Sequence, residues 1–374
     1  MEKKAKIIIA HASAGAGHRK AAEAIFEYLK DCPELDVCLV DVLTRTNSFF
    51  RFSYQWGYSF LVKYLIFSWG FLYWLTDFKP FRKFAKSFCF MLNKSNTKEF
   101  SSLLIKENPD FVISTHFLPS EITSDLKEKG LISTKLFTII TDFGVHSFWI
   151  ADKTDYYGVA SSFTKNCLVS EGIPENRIKE IGIPVDSRFL VKYNKSDLCR
   201  NIGVDSNKFT VLLMTGSFGI GPMKEIAEVL CEFVQVIVVC AANKKLLSSL
   251  NKRQLPNVKV LGFVDNAYEL MAVSDVIITK PGGLSISEII SMELVPIFIS
   301  AIPGQETINI KVLNEYSVGV EPKTILEIKN LIIDYKDHPE KITKLKDNIK
   351  RLKKPGTLEE IRNVVRQNSS RASC

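Results

Sequence analysis

The sequence lacks several features that would assign a class of protein at once. Its eight cysteines are scattered, with no Cys-x-x-Cys pair and no cysteine–histidine cluster at metal-site spacing. Buried free thiols in a reducing compartment explain this pattern best. No Asp-x-Asp occurs either, so a metal-chelated diphosphate has no obvious ligand pair in the sequence. No cleavable leader precedes the first apolar run, and we therefore expect a cytoplasmic chain.

Long apolar runs are also missing. The longest uncharged run of the most aromatic region, Tyr64 to Thr76, falls well below the roughly 20 residues of a membrane-spanning helix. That region, Phe49 to Phe90, contains six Lys or Arg residues and a single acid, Asp77. Its tryptophans and its paired cations are Trp56, Trp69, Trp74, Arg82 and Lys83.

Aromatic rings interleaved with cations are typical of a helix that lies in a membrane interface. Binding of single-stranded nucleic acid uses similar chemistry, and a buried helix pair is a further alternative. Because the region has a helical pattern, we favour peripheral, monotopic contact with an anionic membrane surface, without nucleic acid. The net charge of +8 agrees with an anionic partner but does not choose among these alternatives.

What is present is an alternation of short apolar runs with helical patterns, which is typical of parallel sheets covered on both faces. The first run is Lys6 to Ala10, and the pattern begins again at Phe209. With 374 residues, two domains are expected. We predict an α/β chain of two doubly wound, Rossmann-like domains facing a cleft: residues 1–190, residues 191–354, and a tail at 355–374 that packs back on the first domain.

A glycine-rich turn follows the first predicted strand. Gly15 and Gly17 expose backbone N–H groups where a helix begins, which favours an anion. A dinucleotide fingerprint would need a small residue where Lys20 stands, so this pattern fails. His18 is a candidate general base, and a capping histidine in a tight turn is the alternative.

A second candidate group follows the strand that ends near Thr141. Asp142 and His146 are four residues apart, and a carboxylate beside an imidazole can raise its basicity. Trp149 lies just beyond them. This pair could be the base or could shape an acceptor pocket. Alternatively, Asp142 caps the turn and Trp149 packs on the sheet.

Three segments of the second half come after strands and should lie at one carboxyl edge of a sheet, where open α/β folds bind ligands. They offer backbone donors for phosphate, a carboxylate for ribose hydroxyls, and amide or carboxyl groups for sugar hydroxyls. The candidate residues are Gly216, Ser217, Gly282, Gly283, Ser287, Glu288, Gln305, Glu306 and Asn309.

These motifs together resemble the glycosyltransferase group that contains monogalactosyldiacylglycerol synthases, processive diacylglycerol glucosyltransferases and, more distantly, the N-acetylglucosaminyltransferase that forms lipid II. The resemblance spans nearly the whole chain. The motifs that carry it are Ser13–His18, Ser114-Thr-His116, Thr141–Trp149, Gly182–Val185, Gly262-Phe263, Lys280–Glu288 and Pro303–Asn309.

The resemblance implies a GT-B fold and an inverting reaction. It implies that Gly262 and Phe263 meet uracil, Glu288 the ribose, Gly216, Ser217 and Gly283 the diphosphate, and Gln305 with Glu306 the hexose. His18 would be the base or support it. Many relatives have glycine where Ala16 stands.

On this basis we expect transfer of a hexose, with glucose favoured over galactose, from a UDP-sugar to the hydroxyl of diacylglycerol. The reaction would take place at the cytoplasmic face of the membrane, without a metal or other cofactor. Two alternatives remain: transfer of N-acetylglucosamine to an undecaprenyl-linked acceptor, and a catalytically silent nucleotide- or lipid-binding module.

Overall fold

The structure is a computed structural model that describes residues 4–368, with the side chains of residues 58, 59, 62 and 63 outside that description. Residue contacts divide the chain into two compact units. The first contains the chain up to Asp186, the segment Ile302–Ile308 and the chain from Gly356. The second contains Ser187–Ala301 and Asn309–Pro355.

The first unit is built on a parallel six-stranded sheet in the order β2-β1-β3-β4-β5-β6. Its strands are β1 (Ala5–His11), β2 (Leu35–Asp41), β3 (Phe111–Ser114), β4 (Lys135–Ile139), β5 (Tyr156–Val159) and β6 (Ile178–Glu180). Its helices are α1 (Ala16–Leu29), α2 (Ser48–Tyr64), α3 (Ile66–Asp77), α4 (Lys79–Asn96), α5 (Lys98–Glu107), α6 (Phe117–Glu128) and α7 (Ser162–Ser170), together with the C-terminal α16 (Thr357–Asn368).

Alternate residues of β1 enter two separate cores, one on each face of this sheet. Ile7 and Ile9 pack with α1 and with Ile361 of α16. Ile8 packs with α5 and α6 on the opposite face. Because both faces are covered, β1 is a continuous apolar run rather than an alternating one.

The second unit has a parallel five-stranded sheet in the order β11-β10-β7-β8-β9. Its strands are β7 (Thr210–Met214), β8 (Gln235–Val239), β9 (Val258–Leu261), β10 (Val276–Thr279) and β11 (Val295–Phe298). Its helices are α8 (Lys195–Ile202), α9 (Met223–Leu230), α10 (Lys244–Arg253), α11 (Ala267–Val273), α12 (Gly283–Ser291), α14 (Ile325–Asp337) and α15 (Pro339–Leu352). Helix α13 (Gln305–Glu315) begins in the Ile302–Ile308 segment and continues in the second unit.

The aromatic region forms three consecutive helices, α2 to α4. None of the residues of α3 is buried, and the rings of Phe49 and Phe67 are 80% and 85% exposed. No helix in the described part of the chain is long and apolar enough to cross a membrane.

Candidate functional site

The first sheet reverses its strand order between β1 and β3, since the chain runs from β1 to β2 on one side and from β3 to β6 on the other. Ligands of open α/β sheets bind beside the carboxyl ends of the strands at such a switch point. The residues that follow these two strands are in contact here: His18 from the first turn of α1, and Thr115 and His116 from the turn after β3.

His18 is held through both its side chain and its backbone. Its Nδ1 lies 2.9 Å from the carbonyl oxygen of Thr115 and 2.7 Å from Oγ1 of Thr141. The Thr115 hydroxyl donates a hydrogen bond of 2.8 Å to the carbonyl of His18. Thr115 and Thr141 are themselves buried, so this arrangement is a packed one rather than a surface contact.

The hydrogen bonds of His18 determine which ring nitrogen carries the proton. A carbonyl oxygen can only accept, so Nδ1 of His18 must donate to Thr115. Burial lowers the pKa of His18 to about 4, against an upward contribution from the Thr115 hydrogen bond. His18 keeps partial solvent contact, but its ring is surrounded by His116, Trp149 and the two threonines. The neutral ring therefore has its lone pair on Nε2.

His116 contacts His18 edge to face, with 4.7 Å between ring centroids. Its Nδ1 accepts the N–H of Leu118 at the start of α6, over 3.1 Å. The lone pair of its neutral ring is thus used for capping, and burial keeps the pKa of His116 well below its usual value. His116 is a structural neighbour of His18 rather than a second base.

His146 also has both ring nitrogens occupied. Nδ1 accepts the N–H of Phe148 over 3.2 Å, and Nε2 lies 3.3 Å from both the carbonyl of Tyr73 and the hydroxyl of Thr76 on α3. Burial lowers the pKa of His146, while Asp77 raises it. These contacts attach α3 to the turn after β4. They give no support to the predicted Asp142–His146 base pair.

Asp142 interacts instead with Gln305, whose Nε2 donates to both carboxylate oxygens over 2.8 and 2.9 Å. The preceding Pro303–Gly304 turn packs on α3: Gly304 has φ +91°, and a Cβ there would lie 2.6 Å from Cδ1 of Tyr73. The sequence did not predict that this segment packs in the first unit. Glu306 accepts the N–H of Ile302 over 2.7 Å.

Trp149 is buried in the core with Tyr157 and Leu168, and its ring centroid is 5.9 Å from that of His18. Packing therefore accounts for the position of Trp149.

The glycine-rich turn before α1 is exposed. A Cβ at Gly15 would meet no atom within 4 Å, and the φ of 176° at this residue is available to any amino acid. Neither backbone strain nor internal packing therefore requires a glycine at position 15. Gly17 lies two residues further on, in the first turn of α1.

The second sheet reverses its strand order between β7 and β10. Two glycine-rich turns come after these strands. Gly216 and Ser217 follow β7 and are exposed, and Gly216 has φ +78° with open space around it. Gly282 is the N-cap of α12 and provides no side-chain cap, so the first N–H groups of α12 donate no hydrogen bond to a side chain of this residue. The predicted diphosphate site thus lies at the switch point of this sheet.

The remaining donor-site candidates lie near the same edge. Glu288 is half-buried in the second turn of α12, and Ser287 beside it is buried. Phe263 follows β9, and its ring is 78% exposed. Gly262 accepts the N–H of Ala241 over 3.1 Å. Asn309 is buried and donates to the carbonyl of Pro281 over 3.0 Å, so its amide supports the turn before α12.

The residues predicted to meet the membrane differ in exposure. Trp56 and Trp74 are 53% and 56% exposed, and Lys83 is exposed. Trp69 is half-buried. Arg82 is not available as a lipid-facing cation, because it pairs with Asp77 at 3.3 Å and with Glu171 at 2.6 Å within the first unit.

The part of the chain that the structure describes contains no group of three or more His, Cys, Asp or Glu side chains placed to hold a metal ion. Thr115 and Thr141 are site residues that sequence reasoning did not single out for a role. Their position one and two residues after neighbouring strands is the signal that could have identified them.

Comparison with known proteins identifies the family of this chain. Residues 18–185 match the profile of the Monogalactosyldiacylglycerol (MGDG) synthase family. A processive diacylglycerol beta-glucosyltransferase from Bacillus cereus is 32% identical over 315 residues, which cover 83% of this chain and 80% of the relative. The chain belongs to this glycosyltransferase family. An enzyme of the same name from Bacillus pumilus is 29% identical over 93% of this chain and 91% of its own.

Solved structures confirm the predicted GT-B fold. MurG from Acinetobacter baumannii superposes with a TM-score of 0.58 at 12% identity, covering 97% of this chain and 99% of MurG. A UDP-GlcNAc 2-epimerase from Neisseria meningitidis, bound to UDP-GlcNAc, gives a TM-score of 0.59 at 12% identity and covers 97% and 100% of the two chains. At this identity the likeness establishes the fold, and the predicted family is confirmed by the Bacillus relatives.

Proposed function

We propose that this glycosyltransferase transfers a hexose, with glucose favoured over galactose, from a UDP-sugar to the hydroxyl of diacylglycerol. The substrates are suggested by the names of relatives about 30% identical over most of their length. The observation that supports this reaction is the state of His18 at the switch point of the first sheet. Its imidazole is neutral, its Nδ1–H donates to the Thr115 carbonyl, and its Nε2 has the lone pair.

In the proposed reaction, Nε2 of His18 takes the proton of the acceptor hydroxyl as its oxygen attacks the anomeric carbon. The bond between that carbon and the diphosphate oxygen breaks, UDP leaves, and the anomeric configuration inverts. Partial positive charge at the N-terminus of α12, together with the turn at Gly216, would stabilise the leaving diphosphate. We propose that no metal is required for this step.

We also propose that α2 to α4 lie against the cytoplasmic face of an anionic membrane. The support is the exposure of Trp56, Trp74 and Phe67 together with that of Lys83. Rings of this kind sit at headgroup depth, and lysine adds attraction to anionic lipid. This placement would bring the enzyme to an acceptor that stays in the bilayer.

The test is to incubate the protein with diacylglycerol vesicles and radiolabelled UDP-glucose, UDP-galactose or UDP-N-acetylglucosamine, with and without a chelator. We expect labelled, chloroform-soluble glycolipid with UDP-glucose, and equal rates with chelator. Product only with UDP-N-acetylglucosamine and an undecaprenyl-linked acceptor would favour the rival transferase. Binding of UDP without any transfer would favour a silent module.

The matched variants are His18→Ala and His338→Ala. His338 is half-exposed on the surface of the second unit, where its ring lies beside the carboxylates of Asp334 and Glu340. Loss of a general base costs typically 10²–10⁴-fold in rate. We expect that loss for His18→Ala and full activity for His338→Ala; near-full activity of His18→Ala would refute its role as the base.

A further inference from the structure

We propose that Thr141 is a positioning residue for His18. The hydroxyl oxygen of Thr141 accepts the Nδ1–H of His18 together with the Thr115 carbonyl, and it stabilises the imidazolium that forms during transfer. The catalytic effect of Thr141 rests on the proposed function. The tautomer and the hydrogen-bond partners of His18 do not depend on that function.

The geometry comes from two strand ends that are adjacent in the first sheet. Thr115 follows β3 and Thr141 follows β4, and these strands pair in register. Both residues are buried, with exposures of 0% and 4%. Thr141 Oγ1 lies 2.7 Å from Nδ1 of His18, and the carbonyl oxygen of Thr115 lies 2.9 Å from the same nitrogen. One N–H therefore has two acceptors.

No carboxylate takes this place among the described hydrogen bonds and ion pairs of His18. Asp142, the adjacent residue, is bound by Gln305, and Asp77 binds the N–H of Ser147. Among the described residues, His116 and His11 are titratable neighbours of His18, and both are buried with lowered pKa values. When Nε2 takes a proton, the Thr115 carbonyl and the Thr141 hydroxyl on Nδ1 are thus the groups that stabilise the new charge.

The neighbouring histidines have the opposite tautomer. Nδ1 of His116 accepts the N–H of Leu118, and Nδ1 of His146 accepts the N–H of Phe148. Their neutral rings must therefore be protonated at Nε2. Among these three histidines, His18 is the one whose hydrogen bonds leave Nε2 as the bare nitrogen.

The test compares Thr141→Val, which keeps the shape and removes the hydroxyl, with Thr141→Ser, which restores it. The control is Thr138→Val, which removes a buried hydroxyl on β4 that bonds to Ser120 over 2.9 Å and not to His18. A hydrogen bond to a charged group corresponds to roughly a tenfold to hundredfold effect. We expect kcat to fall by this factor in Thr141→Val, while the KM values for the UDP-sugar and for diacylglycerol stay unchanged. In Thr141→Ser we expect kcat to recover.

The second measurement needs no turnover. In the full-length protein labelled with ¹⁵N-histidine, the imidazole nitrogen shifts should show His18 protonated at Nδ1 and His116 at Nε2. Titration should give a lower pKa for His18 in Thr141→Val and an unchanged one in Thr138→Val. If the protein transfers no hexose, these spectra still test the arrangement.

Three results would overturn the proposal: a wild-type His18 protonated at Nε2, full kcat in Thr141→Val, or equal losses in Thr141→Val and Thr138→Val. The last would mean that a buried hydroxyl contributes only to folding. Absence of transfer by the wild-type protein, with the expected tautomers, would refute the proposed function while leaving the positioning of His18 intact.

Discussion

The low pKa of His18 predicts an unusual pH profile. Burial of the ring without a carboxylate partner lowers this pKa to about 4, whereas an unperturbed histidine has a pKa of about 6.5. Since a general base must be unprotonated, kcat/KM should be high above the pKa of the free enzyme and should fall as the pH decreases through it.

The size of the effect follows from the fraction of neutral ring. At pH 5.5 a histidine of ordinary pKa would be neutral in roughly one molecule of eleven, so kcat/KM would be about tenfold lower than at pH 7.5. With a pKa of about 4, the ring is still about 97% neutral at pH 5.5. We therefore expect nearly equal kcat/KM at the two pH values.

The assay is initial-rate formation of labelled glycolipid on diacylglycerol vesicles of constant composition, between pH 4.5 and 8.5. Circular dichroism at each pH checks that the protein remains folded. An acid limb with a midpoint near 6.5 would refute the reasoning, because it would mean either that His18 is more hydrated than the structure shows or that another group is the base.

Further predictions concern other parts of the chain. Gly304→Ala should lower Tm by roughly 5 °C more than Gly172→Ala, because both have positive φ but only Gly304 packs against a ring of α3. Glu288→Ala should raise KM for the UDP-sugar roughly tenfold to a hundredfold while kcat changes little, if its carboxylate binds ribose hydroxyls. Trp56→Ala should weaken flotation with anionic vesicles roughly tenfold, whereas Leu326→Ala, which is 63% exposed on α14, should not.

Each of these comparisons has a clear contrary outcome. Equal Tm losses in the two glycine variants would mean that backbone conformation, and not the contact with α3, determines the cost. An unchanged donor KM in Glu288→Ala would remove this residue from the nucleotide site. Equal flotation of the tryptophan and leucine variants would show that α2 does not contact the membrane.

The sequence by itself determined the elements that depend on local patterns. The apolar run predicted at Lys6 to Ala10 lies within β1 (Ala5–His11), because a strand covered on both faces is a short apolar segment. The position of His18 after a strand and at the start of a helix was equally readable. The short strands β5 and β6 were not predicted, since β5 contains Gly158 and β6 contains Lys179 and Glu180, so neither is a continuous apolar run.

Only the tertiary structure decided which groups surround the candidate base. Thr115 and Thr141 are 97 and 123 residues from His18, and Gln305 is 163 residues from Asp142. These pairs meet because β1, β3 and β4 are adjacent and because Ile302–Ile308 packs in the first unit. Strand order and such long-range packing are set by the whole core, and no local pattern of residues encodes them.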